Sequence, residues 1–116
     1  PAVLADGGLA PAVQALAEGA RVPIEVGPMS EARPPPAIEI AAYAVVIEAA
    51  RVARRGIAVH AARREGAFVV EIGSRDTAPL DLVALEDRVG ALDGRVAVEH
   101  GDNGGVTIRV EFPCGP

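Results

Sequence analysis

Apolar residues first recur at helical spacing between Leu9 and Glu18, where Leu9, Val13, Leu16 and Ala17 share a face after a Gly7-Gly8 turn and before Gly19 as a stop. Val22 to Val26 alternates as a strand, and Pro23 marks it as an edge. Gly27 through Pro36 holds four prolines among polar neighbours and predicts a loop. From Ala37 to Arg55 the chain is mostly Ala, Ile and Val without internal Gly or Pro, which predicts a long helix with Gly56 as its left-handed cap. Four segments rich in Val and Ile then read as strands: Ile57 to Arg64, Ala67 to Gly73, Arg95 to His100 and Val106 to Phe112. Between the second and third, Leu82, Leu85, Val89 and Leu92 line one face of a helix over Leu80 to Leu92, which Asp93-Gly94 ends.

This order predicts an α+β fold, a two-layer sandwich in which a mixed five-stranded sheet is covered on one face by three helices. At 116 residues the chain has room for one compact domain, residues 1–116, and no second full-sized one. Half the residues are hydrophobic but only Tyr43, Phe68 and Phe112 are aromatic, so the core is expected from Ala, Val, Leu and Ile.

The formal net charge of −5 speaks against a nucleic-acid binder, which gains affinity from basic patches. The lone Cys114 has no partner for an internal disulfide, and His60 and His100 lack the Cys or carboxylate company of a metal site. No apolar run approaches the ~20 residues that span a bilayer, so no direct membrane contact is expected of this segment. The start has no basic stretch and carries Asp6 early, unlike a signal peptide. It opens at Pro1 without Met, as expected of a C-terminal fragment of a longer chain. No hydrolase motif such as G-x-S-x-G is present.

Several strings carry a resemblance. Glu48-Ala49-Ala50-Arg51-Val52-Ala53-Arg54-Arg55-Gly56 stands against a helix motif of the form E-A-x-x-N-x-x-K/R-H. Leu85-Glu86-Asp87-Arg88-Val89-Gly90-Ala91-Leu92-Asp93-Gly94-Arg95 is similar to an L-x-D-R-V-x-A-L-x-G-x element, and Gly104 through Cys114 to a closing strand. Leu4 to Leu9 resembles the segment that follows phosphoacceptor helices. Together these resemble the C-terminal ATP-binding domain of bacterial sensor histidine kinases, a framework covering nearly the whole chain.

The resemblance implies ATP and magnesium as cofactors, an upstream dimerisation and phosphoacceptor domain and a response regulator as partners, and a cytoplasmic location under a parent chain that can be membrane-anchored. Carried over residue by residue, it implies Glu48 as the catalytic acid of the motif, Arg55 as its basic position, and Ser74, or Asp76 if the turn shifts by two residues, as the group facing adenine. The magnesium-holding Asn, however, is replaced by Val52, which has no lone pair to coordinate a metal. No metal ligand is therefore assigned. The glycine pair of the lid is replaced by Pro79-Leu80-Asp81-Leu82, in a lid of about half a dozen residues, and the G-T pair before the last strand reads Gly105-Val106.

The leading expectation is a degenerate kinase ATPase domain, with ATP held weakly or not at all, acting as a regulatory or interaction module. One alternative is a working domain that donates phosphate to an upstream histidine. Another is a stand-alone binding protein similar to anti-sigma switch kinases. Set against these, Glu48 pairing with Arg51 and a solvated arginine face at 51, 54, 55, 63 and 64 are the plain structural expectations.

Overall fold

A computed structural model describes residues 2–115. Its elements run α1 (Ala2–Gly7), α2 (Leu9–Glu18), β1 (Ile24–Met29), α3 (Pro36–Val52), β2 (Ile57–Arg64), β3 (Ala67–Ser74), α4 (Leu82–Gly90), β4 (Arg95–His100) and β5 (Val106–Pro113). The strands form one mixed sheet in the order β1-β2-β3-β5-β4. β1 lies parallel to β2, and the other neighbours are antiparallel.

Alternation along the strands sends one set of side chains towards the helices. Val59, Val70, Ile72, Val110 and Phe112 are fully buried there, with Val13, Val45 and Val46 facing them from α2 and α3. Ala58, Gly73 and Thr107, the intervening positions of three neighbouring strands, lie side by side on the uncovered face. This is the expected α+β sandwich, with the added six-residue helix α1 where only a turn at Gly7-Gly8 was expected.

Three elements depart from their expected bounds. β1 begins later and runs on through Gly27 and Pro28 to Met29, because an edge strand tolerates a proline where its pairing with β2 shifts register between Val26 and Met29. Helix α3 starts at Pro36, a residue preset for the first helical position, and stops at Val52 instead of Arg55. Gly56 is therefore not its left-handed cap. With φ 148° it opens β2 where a Cβ would stand 2.9 Å from the Pro23 carbonyl oxygen.

α4 starts at Leu82, since the Asp81 carboxylate caps it by accepting from the Ala84 amide at 3.1 Å. Leu85 and Val89 face the core as expected. Leu92 is half-buried against it, but Leu82, expected on the same face, is 41% exposed as the first residue of the helix. α4 ends at Gly90, short of the expected Leu92, and the chain turns into β4 through Asp93 in the left-handed conformation, φ 61°, and Gly94, where a Cβ would stand 2.7 Å from both the Glu111 oxygen and Val89 Cγ1.

Candidate functional site

The last carbonyls of a helix have no intrahelical partner and must find one elsewhere. At the end of α3 they find it within the protein. One Arg21 nitrogen lies 3.1, 3.0 and 2.7 Å from the carbonyl oxygens of Ala50, Arg51 and Ala53. The Val52 carbonyl accepts from the Ala78 amide at 2.8 Å and lies 3.2 Å from the Thr77 hydroxyl.

That second set of contacts belongs to residues 75–81, the short connection between β3 and α4. It lies along the end of α3 as a strap. Ala53 forms an antiparallel bridge with Thr77, and the Arg54 amide donates to the Asp76 carbonyl at 2.9 Å. Arg54 also donates through its guanidinium to the Asp76 carboxylate and the Thr77 carbonyl, both at 3.1 Å. At the strap's far end the Asp81 amide donates to Glu48 Oε2 at 3.2 Å.

The four residues picked out by sequence fall into this arrangement unequally. The Glu48 carboxylate accepts from Arg51 Nε and Nη2, each at 2.9 Å, and from Asp81, so its acceptor sites are largely committed. The Arg51 guanidinium holds the Glu48 carboxyl below the usual carboxylate range, and the Asp81 amide adds to this against the opposing effect of burial. Asp76 faces Arg54 across the strap.

The Ser74 hydroxyl lies 3.2 Å from the Gly56 carbonyl oxygen and 3.1 Å from that of Asp76, tying the start of β2 to the strap. Arg55 is not brought to this cluster. It borders a cleft of about 490 Å³ at one end of the sheet, which Ser74 also touches. Val52 is buried beneath the strap, 7% exposed.

Arg54, Thr77, Ala78 and Arg21 were not singled out in the sequence as site residues. The signals available were the brevity of the 75–81 connection and the basic residues following a helix whose last carbonyls need donors. Of the other arginines on the expected solvated face, Arg51 pairs with Glu48, and Arg63 donates to the Arg33 carbonyl at 2.8 Å and the Cys114 carbonyl at 3.2 Å. His60 and His100 stand exposed on β2 and β4.

No protein-family model matches the sequence, and no curated protein is similar enough to match it. Solved structures do match in three dimensions. The histidine kinase domain of the E. coli osmosensor EnvZ superposes with a TM-score of 0.62 at 18% identity, covering 90% of this chain and 82% of that one. The blue-light activated histidine kinase EL346 of Erythrobacter litoralis gives 0.66 at 14% identity, over 91% of this chain and 42% of that one. Full-length ShkA in complex with AMPPNP gives 0.61 at 14%, over 92% of this chain and 28% of that one. At these identities the likeness is one of fold, and the chain has the histidine-kinase-like ATPase fold.

Proposed function

We propose that this chain is the ATPase-fold module of a two-component sensor histidine kinase in which nucleotide binding has been lost and a regulatory role through protein contacts retained. In this reading it is the C-terminal part of a longer chain on the cytoplasmic side. It acts on an upstream dimerisation domain and through it on a response regulator. The fold and the local sequence likeness support the class. The observation that carries the loss is the strap, because residues 76–81 bond directly to the end of α3 where a bound nucleotide would need open space beside Glu48 and Val52.

The donor set points the same way. Magnesium takes hard oxygen ligands in near-octahedral geometry, and the position that would supply one is a buried valine. Glu48, the nearest carboxylate on that helix, already accepts from Arg51 and Asp81. Phosphoryl transfer depends on positioning and charge neutralisation, so a site without the metal ligand and the glycine lid loses both. The residues present do not fit a magnesium–ATP complex.

Isothermal calorimetry with magnesium and ATP tests the reading. The expected result is a dissociation constant weaker than about 1 mM; one in the low micromolar range, about −7 to −8 kcal/mol, overturns it.

A further inference from the structure

The cleft at the end of the sheet is lined from both faces, by Ile57, Ser74 and Val106 beside Ala58, Gly73 and Thr107, and is built differently from the strap. Ala58, Gly73 and Thr107 lie side by side across β2, β3 and β5 on its floor, and a Cβ built at Gly73 would meet nothing within 4 Å. One wall is the β4–β5 turn, shaped by the Asn103 side-chain oxygen accepting from the Gly105 amide at 3.2 Å. Arg55, from the connection after α3, and Arg75, from the end of β3, stand on the rim.

Among the described residues neither arginine makes a hydrogen bond or ion pair, whereas their neighbours Arg51 and Arg54 are each committed to a carboxylate. Glu25 borders the same cleft from β1, so the rim carries two guanidinium groups against one carboxylate. In a chain of net charge −5 this is a local excess of positive charge.

Guanidinium forks suit planar or tetrahedral oxyanions, to which each can donate two parallel hydrogen bonds. A cleft of about 490 Å³ falls in the range of small-molecule sites, roughly 300–1,000 Å³, and is larger than a bare ion requires. From the two free arginines, the open space at Gly73 and the size together, we propose that this cleft binds a small organic anion through Arg55 and Arg75. The shared chemistry is that of an oxyanion, phosphoryl or carboxylate. The space over Ala58 and Gly73 takes the body of the molecule. The cleft takes in Arg55, Ser74 and the Gly105-Val106 pair, which the resemblance assigns to nucleotide contact, but none of Glu48, Val52 or residues 76–81, on which the proposed loss of nucleotide binding rests.

The test is an amide-resolved NMR titration of the intact chain with pyrophosphate and, separately, with malonate. Neither contains a base, so the outcome is distinguishable from that with magnesium and ATP. Saturable shifts are expected at Gly73, Asn103 and Gly105 for at least one probe, with a dissociation constant of about 1 mM or tighter. Arg55→Ala with Arg75→Ala should weaken that binding at least about tenfold, while Arg88→Ala on α4 leaves it unchanged. Gly73→Val, whose Cβ meets nothing within 4 Å and whose methyl groups fill the space over the floor, should abolish it in a chain whose other amide signals are unmoved. Which probe binds identifies the oxyanion source. Absence of saturable shifts with both probes, or equal affinity in the double arginine variant or in Gly73→Val, overturns the proposal.

Discussion

The carbonyl of Val52 and the amide of Ala78 are hydrogen-bonded at 2.8 Å, joining the last residue of α3 to a connection that begins more than twenty residues later. A helix end left open to a ligand would give its carbonyls to water or to the ligand. Here the strap and Arg21 take them, so the region is finished as a piece of folded protein. The amides of Ala78 and Arg54 should then exchange slowly with solvent. Thr77→Val keeps the side-chain shape but removes the hydroxyl near the Val52 oxygen, and should cost about 0.5–1.5 kcal/mol. The denaturant midpoint measures it, and the slope should not change.

Glu48 supplies a pH signature. Its carboxyl is depressed in the folded chain, chiefly by the Arg51 hydrogen bonds, so the unfolded chain binds the proton more readily. Its stabilising contribution is therefore fully present above the unfolded value of about 4.3 and is lost as pH falls through the lower folded value. Wild type should exceed Glu48→Gln in stability by a constant margin from about pH 6 to 8, and the margin should shrink below about pH 4. A margin that grows on acidification would contradict the pairing.

At the opposite end of α3, Glu39 is 3% exposed and is held by Arg33 through contacts of 2.7 and 3.0 Å. Arg33 also reaches the Leu4 and Ala5 carbonyls at 3.3 Å, so one side chain fastens α1 to α3. Removing one partner of a buried pair strands the other charge, whereas replacing both by apolar groups does not. Arg33→Met should therefore lower the melting temperature more than Arg33→Met combined with Glu39→Leu. The double variant should still melt below wild type, because the bonds to α1 are gone in both.

The sequence made most of the sheet legible because β2 to β5 are rich in Val and Ile and bounded by Gly, Asp or Asn, and each of these four strands lies within one residue of its expected span. Helix ends were less legible. α3 was expected to run to Arg55, and nothing local stops it at Val52; its end is set by hydrogen bonds to residues over twenty positions away. Glu48 and Asp76 stood out by position in a motif, but their partners Asp81 and Arg54 meet them only through the strap. The Glu39 pairing was invisible for the same reason, as a single acid in the first turn of an apolar helix reads equally well as a solvated dipole partner.

Under the proposed reading, the strap also decides what introducing the residues implied by the resemblance would do. Val52→Asn returns an oxygen donor one helical turn from Glu48, and Ser74→Asp returns a carboxylate at the position that would face adenine. In this fold both would meet occupied space. The new Asn would be enclosed where Val52 is now, and burying an unsatisfied amide costs about 1–3 kcal/mol. The new Asp would replace a hydroxyl, one donor within reach of two carbonyl oxygens, with a group that only accepts. The pair of substitutions alone should lower stability and give no detectable heat with magnesium and ATP. Replacing residues 75–80 by a longer glycine-rich segment in the same variant removes the contacts to Val52 and Arg54, and should give measurable binding, with the two restored residues acting more than additively because they hold one ligand. Calorimetry on the three variants, with circular dichroism confirming that each stays folded, separates the causes. Binding by the double variant with the strap intact would mean that the strap opens readily and that residue identity alone abolished the site.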